Sequence, residues 1–118
     1  MEYISGIDRN QCWISSLEDA IDENNPIRFI DSYVSRLDIG EMGFEYSEPQ
    51  DTGRPAYAPR DLLKLYLYGY FNRIRSSRNL EKECYRNIEV IWLLKGLRPD
   101  HKTIARFRQN NPKALGLV

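Results

Sequence analysis

Residues 76–111 read SSRNLEKECYRNIEVIWLLKGLRPDHKTIARFRQNN, and their pattern decides the fold. Ser76, Asn87 and Asp100 are of the types that cap helix N-termini, and each precedes a segment with apolar residues at helical spacing. The glycine and the proline of KGLRPD mark a turn between the second segment and the third. This order of two short helices, a turn and a further helix is typical of a helix-turn-helix unit.

The segment after Asp100 carries a polar face opposite its apolar positions Ile104 and Phe107. The DNA major groove admits one helix, from which Arg or Lys can pair with guanine and Gln or Asn with adenine. A merely solvated helix face carries similar charges, so this pattern alone leaves both interpretations open. Arg108 projects closer to the apolar side and is predicted to be a structural ion-pair partner. The side chains predicted to contact DNA are Lys102, Thr103, Arg106, Gln109 and Asn110.

Upstream, Pro59 begins a longer helical segment whose apolar positions form one stripe as far as Ile74. Tyr66 and Tyr70 flank or join this stripe, and both are therefore expected in the core. Leu65 fits the helical pattern least well, because its spacing places it away from the stripe.

A second group of basic residues surrounds this helical segment. Lys64, Tyr68 and Arg75 fall on its face opposite the apolar stripe, where we expect exposed side chains that contact phosphates. Arg54 precedes the segment and Arg78 follows it, and both are included in the predicted DNA-binding set.

Residues 1–40 predict two further helices. Ser16 can cap the first, and Pro26 begins a second that Gly40 can end. Residues 41–57 contain glycines and prolines without a sustained period and are expected to form a long loop. We therefore predict an all-α fold, a compact bundle of about six short helices with a helix-turn-helix-like C-terminal half.

Charge divides the chain into two halves, although its net charge is zero. Residues 1–53 contain three basic and twelve acidic residues (net −9), and residues 54–118 contain fourteen basic and five acidic residues (net +9). A basic half of this density, interleaved with tyrosines, indicates a surface that meets a polyanion, whereas the acidic residues look solvated. Within 118 residues we expect one domain, in which residues 1–40 are acidic helices and residues 58–111 form the basic helical half.

Several functional classes are excluded by what the sequence lacks. No apolar run approaches the ~20 residues that span a bilayer, and no secretory signal begins the chain, so we expect a soluble cytoplasmic protein without membrane contact. His101 has no second ligand at a suitable spacing, so we predict no metal or cofactor and assign it to capping or to phosphate contact. No phosphate-binding glycine loop, nucleophile elbow or carboxylate pair occurs, and no active site is predicted.

Three stretches follow a known family pattern: GRPAYAP at residues 53–59, LLKLYLYGY at 62–70 and RPDHKTIARFR at 98–108. The chain resembles the N-terminal domain of bacterial insertion-sequence transposases, whose catalytic part has an RNase H-like fold with an Asp-Asp-Glu metal site. The resemblance extends over nearly the whole chain.

This resemblance implies a domain that precedes the catalytic domain and binds the transposon ends, with the catalytic acids further downstream. The chain ends at Val118, before such a domain, so we expect no enzymatic activity from it. Its expected partner is double-stranded DNA, which would place the protein at the bacterial nucleoid. Two alternatives stay open: an assembly domain that binds another copy or the catalytic domain through charge, and a regulator derived from a truncated transposase.

Overall fold

The computed structural model describes residues 3–12, 14–44 and 57–118. These ranges contain helices and turns but no strand. A 3-10 helix spans Glu18–Ala20, and the α-helices are α1 (Ile27–Ser35), α2 (Pro59–Phe71), α3 (Ser77–Arg86), α4 (Ile88–Leu93), α5 (His101–Asn110) and α6 (Pro112–Gly116). The prediction of an all-α bundle of about six short helices is confirmed.

Three helices begin where their capping residues predict. The side chains of Ser76, Asn87 and Asp100 each accept a hydrogen bond from a backbone N–H two or three residues later, at 3.3, 2.9 and 2.8 Å. These bonds satisfy N–H groups that the first turn of a helix leaves without a partner. Asn87 also ends α3, so α3 and α4 meet at a single residue.

Helix α1 is shorter than predicted, because it ends at Ser35 and not near Gly40. At this end of α1, Arg60 of α2 donates hydrogen bonds to the carbonyls of Val34 and Leu37. The Val34 carbonyl also accepts from the backbone N–H of Leu37 at 3.1 Å, so the arginine adds a contact that joins α2 to the end of α1.

Helix α2 ends at Phe71, before the predicted stripe does, in a Schellman motif. Arg73 has the left-handed φ of this motif, 58°, and the backbone N–H of Ile74 donates to the carbonyl of Gly69 at 2.8 Å. A Cβ atom on Gly69 would lie 2.8 Å from the Ile74 carbonyl oxygen and 3.1 Å from the Leu80 side chain. Glycine is therefore required where α2 meets the turn and α3.

Helix α4 ends in the same motif. Lys95 and Gly96 have φ values of 53° and 83°, and the N–H of Gly96 donates to the carbonyl of Ile91 at 2.9 Å. In both motifs a basic residue occupies the first left-handed position, where glycine is usual.

A short helix that was not predicted follows α5. Asn111 ends α5, and Pro112 occupies the first position of α6. Asn111 is buried and donates a hydrogen bond to the carbonyl of Phe107 at 2.9 Å.

The core surrounds α2, which packs against α1, α4 and α5, while α3 packs against α4 and α5. Leu65, which fits the helical stripe least well, is buried, since α2 has neighbours on more than one side. Tyr70 was expected in the core, and this prediction is wrong: 70% of the residue is exposed. The other buried apolar residues include Ile30, Val34, Leu63, Leu80, Val90, Leu93, Ile104 and Phe107.

Candidate nucleic-acid interface

Helix α5 is fixed to the rest of the bundle through its apolar side and its first residue. Ile104 and Phe107 are buried, and the Phe107 ring stacks on Phe44 with 5.7 Å between centroids. The backbone N–H of His101 donates to Glu81 Oε1 on α3 at 2.8 Å, and His101 Nδ1 lies 2.9 Å from the same oxygen. His101 thus joins α5 to α3, a contact that neither proposed role for this residue anticipated.

The opposite side of α5 faces outward. Lys102, Arg106, Gln109 and Asn110 are exposed, and Thr103 is half-buried. No carboxylate of the described residues forms a salt bridge with Lys102 or Arg106. The polar face predicted from the spacing therefore exists, and both of its cations are available to a ligand.

The turn before α3 lies against α5. Arg108 Nη1 donates to the carbonyl of Arg75 at 2.5 Å, and the Arg108 guanidinium lies 5.9 Å from the centre of the Tyr66 ring. The predicted ion pair of Arg108 is wrong, since the acceptor it reaches is a carbonyl and not a carboxylate. Arg75 and Arg78 are exposed as predicted, whereas Arg54 lies outside the described residues.

Two basic residues beside these positions were not predicted. Lys82 is exposed on α3, four residues after Arg78 and so on the same helix face. Arg98, in the turn before α5, lies over the Tyr85 ring of α3 at 4.3 Å. We call six exposed side chains of α3, α5 and their flanking turns the basic surface: Arg75, Arg78, Lys82, Arg98, Lys102 and Arg106.

The expectation that Lys64 is exposed is wrong. Its side chain is 7% exposed, and Nζ lies 2.8 Å from Asp31 Oδ1 on α1. A charge removed from water in this way needs an opposite charge beside it. Lys64 therefore holds α1 against α2 and does not join the basic surface.

Tyr68 is also buried, contrary to the expectation that it shares an exposed face with Lys64. Its hydroxyl donates to Glu83 Oε2 at 3.3 Å and accepts from Asn87 Nδ2 at 2.9 Å. Asn87 Nδ2 lies 2.8 Å from the same Glu83 oxygen, and Arg86 donates to Glu83 Oε1 through Nε and Nη2 at 3.0 and 2.6 Å. We call these four residues the Glu83 network, which connects α2 to the corner between α3 and α4.

The electrostatics of the network follow from these contacts. Burial opposes ionisation of Glu83, but hydrogen bonds from Arg86 and Asn87 outweigh it, and the pKa of Glu83 lies below its ordinary value. Burial, and then the charge of Glu83, raise the pKa of Tyr68 to about 12. Both oxygens of the Glu83 carboxylate thus accept hydrogen bonds from the other three residues, which leaves the network no free proton acceptor for catalysis.

Two acids of the first half are structural, although all were expected to be solvated. Asp31 pairs with Lys64, and Glu18 forms a salt bridge with Arg28. Glu18 also accepts a hydrogen bond from Trp92 Nε1 at 3.1 Å, and Arg28 lies over the Trp92 ring at 5.0 Å. These contacts tie the acidic half to α4 and α2, on helices other than α3 and α5, which carry the basic surface.

A comparison with protein-family models decides the family. The model described as transposase domain (DUF772) matches residues 15–110. The chain belongs to this transposase domain family. Comparisons with curated proteins and with solved structures find no significant match.

The matched region of the transposase domain begins before the 3-10 helix and ends at Asn110, the last residue of α5. The basic surface, the Glu83 network and the Lys64–Asp31 pair all lie within it. In the part of the chain that the structure describes, no three His, Cys, Asp or Glu side chains are placed to hold a metal ion. No helix there is long and apolar enough to cross a membrane.

Proposed function

We propose that this transposase domain binds double-stranded DNA at the terminal repeats of a transposable element. The observation that carries the proposal is the outward face of α5, where Lys102, Arg106, Gln109 and Asn110 are exposed while the opposite side is packed. α5 is the helix that enters the major groove, and α3, which packs against it, completes a helix-turn-helix-like unit with α4 and the turn from residue 94 to 100.

Phosphate contacts come from the basic surface outside α5. Arg75, Arg78 and Lys82 flank α5 because α3 packs directly against it. They take the phosphate-binding role predicted for Lys64, whose charge is instead paired with Asp31 inside the bundle. Contacts of this kind fix the position of the protein on the duplex without reading its sequence.

The chain itself serves binding and not catalysis. Its described residues form helices without a strand, whereas an RNase H-like fold is built on a sheet. Strand-transfer chemistry would then belong to a separate catalytic part with an Asp-Asp-Glu site, and this domain would need no metal or cofactor.

The test compares Arg106→Ala with the parent on a terminal-repeat duplex and on a scrambled duplex. A bidentate base contact is worth about 1–3 kcal/mol, so affinity for the terminal repeat should fall about 5- to 150-fold while affinity for the scrambled duplex falls much less. Arg36→Ala is the matched control, since Arg36 is also exposed but lies at the end of α1, which packs on α2 and α4. If Arg106→Ala bound each duplex as tightly as the parent does, α5 would not be the helix that recognises the DNA sequence.

A second candidate function, assembly with another copy, is favoured by one feature of α1. Phe29 and Tyr33 stack with 5.9 Å between ring centroids, and Phe29 is 63% exposed. Aromatic pairs of this kind are enriched at protein interfaces. Sedimentation of the parent and of Phe29→Ala tests it: a dimer that the substitution dissociates, combined with no DNA binding, would support assembly in place of the DNA-binding function.

A further inference from the structure

A groove of about 840 Å³ lies beside the C-terminal end of α2. Aromatic and basic side chains line it, and among the described residues no carboxylate does; the lining includes Tyr66, Tyr70, Phe71, Arg73, Arg75 and Arg108. Arg108 of α5 contributes to the groove, but most of the lining residues belong neither to the outward face of α5 nor to the basic surface.

The aromatic side chains of the groove are open to a ligand. Tyr70 is 70% exposed and Phe71 is 57% exposed, and their rings meet edge to face with 5.7 Å between centroids. An exposed, oriented aromatic ring beside cations is the arrangement on which proteins stack the bases of single-stranded nucleic acids. Stacking of this kind does not depend on the identity of the base.

The groove is also suited to an anion. Arg73 and Arg75 are exposed, and neither forms a salt bridge with a carboxylate of the described residues. Arg108 adds a third guanidinium, whose Nε is buried and has no hydrogen-bond acceptor within those residues. Two exposed cations and a third that is half-buried complement a strand of phosphates.

The backbone at Arg73 sets the position of this cation. Its φ of 58° belongs to the Schellman motif that ends α2, and Lys95 has the same conformation at the end of α4. The motif places the Arg73 side chain at the edge of the groove.

We propose that this groove binds single-stranded DNA, with an unpaired base on Tyr70 and the neighbouring phosphates on Arg73 and Arg75. The proposal rests on the proposed function, because Arg108 extends from the helix that would occupy the major groove and the single strand would continue from that duplex. An acidic protein segment could match the charges, but it would leave the exposed rings without a stacking partner.

The experiment measures binding of the full chain to one duplex in two forms, blunt and with a short extension of unpaired thymidines. The parent should bind the extended duplex at least about fivefold more tightly than the blunt one. Tyr70→Ala should abolish this preference without changing blunt-duplex affinity, and Tyr70→Phe, which keeps a stacking ring, should retain it. Tyr70 is so exposed that its replacement should leave the melting temperature unchanged.

Arg73→Gly provides a second variant with a matched control. It removes the cation but suits the left-handed backbone, so it should weaken binding of the extended duplex without lowering the melting temperature. Lys95→Gly makes the same change in the equivalent motif of α4, beside Glu18 and Asp31, and should leave the preference intact.

The outcomes separate the two proposals. Tight binding of the blunt duplex with no preference for the extension, or a preference that survives Tyr70→Ala, would overturn the groove proposal and leave the proposed function standing. Failure to bind either duplex would overturn both. Binding of a poly-glutamate peptide that Arg73→Gly weakens, with no preference for the extended duplex, would assign the groove to an acidic protein segment and overturn the proposal.

Discussion

Helices α2 and α5 each carry basic side chains opposite an apolar stripe in the sequence, yet only α5 keeps these side chains exposed. Lys64 and Tyr68 of α2 are buried, while Lys102 and Arg106 of α5 reach solvent. The two helices differ in their surroundings. α2 has α1, α4 and α5 around it, whereas the outward face of α5 has no described helix against it.

This difference shows that the chemistry of a charged residue depends on the helices around it. Once α1 covers one side of α2 and the α3–α4 corner another, Lys64 and Tyr68 need partners inside the protein. Asp31 and Glu83 supply them. Similar residue types on α5 stay in water and remain available to a ligand.

Glu83→Ala should have the largest effect, because Glu83 is the partner of a buried side chain of α2. It leaves Tyr68, Arg86 and Asn87 without their common acceptor, and the buried Tyr68 hydroxyl and the half-buried Asn87 amide each lose a hydrogen bond. We expect a loss of about 2–4 kcal/mol in the free energy of unfolding, measured by urea denaturation.

Glu23→Ala is the control for this prediction, because Glu23 is an exposed acid in a turn. It should change the free energy of unfolding by less than about 0.5 kcal/mol. Equal effects of the two substitutions would show that the Glu83 network does not stabilise the fold, and the burial of α2 would need another explanation.

Lys64→Ala should have the next largest effect. It removes the buried stem and leaves Asp31 without its partner, for an expected loss of about 1–3 kcal/mol in the free energy of unfolding. Lys64→Met keeps most of the buried chain and should recover part of this loss. If the two variants fold, the salt dependence of their DNA binding should equal that of the parent. A shallower dependence would show that Lys64 contacts DNA.

The sequence predicts most of the helices because their signals are local. Caps such as Asp100 and starts such as Pro59 act within one turn, and the polar face of α5 follows from spacing alone. Contacts between distant residues are not visible in this way. Arg60 of α2 donates to carbonyls at the end of α1 from more than twenty residues away, and Asp31 pairs with Lys64 across thirty-three residues.

The candidate site was predictable to the same extent. The exposure of Arg106 follows from the helical period, but that of Tyr70 does not, because α2 stops at Phe71 in a Schellman motif. Tyr70 has the period of the core stripe but lies in the last turn, where none of the residues that the structure describes covers it. Sequence patterning gives the side of a helix that a residue occupies and leaves open which part of the helix is covered.

The pH dependence of stability should distinguish the contact of α2 with Glu83 from the contact of α5 with Glu81. The pKa of Glu83 is lowered from its ordinary 4.5, so its ionised form stabilises the fold above that pH, and the stabilisation is lost as pH falls through the folded-state pKa. Glu83→Gln should therefore reduce the loss of stability measured by denaturation at acid pH and constant salt. The pKa of Glu81 is lowered too, chiefly by the His101 side chain, but the Glu81 side chain is 28% exposed against 9% for Glu83, so Glu81→Gln should change the acid profile less.

A smaller effect is expected from Arg78, on the side of α3 beside α5. Arg78→Ala should lower affinity equally for a terminal-repeat duplex and a scrambled one, and it should reduce the salt slope of binding by about 0.9, because one phosphate is no longer neutralised. The free energy of unfolding should stay the same, since Arg78 has no salt bridge among the described residues. A weaker affinity for the terminal repeat alone would instead make Arg78 a base-reading residue.

The smallest predicted effect concerns the ends of α2 and α4, where Arg73 and Lys95 occupy the same backbone position. Lys95→Gly should raise the free energy of unfolding by up to about 1 kcal/mol, because glycine adopts the left-handed φ without strain. Lys95→Ala keeps the strained Cβ and removes the favourable charge at the helix C-terminus, so it should be no more stable than the parent. Thermal unfolding of the three proteins decides the point: if the alanine variant gains as much as the glycine variant, charge and not backbone strain limits the end of α4. The same explanation would then apply to Arg73 at the end of α2.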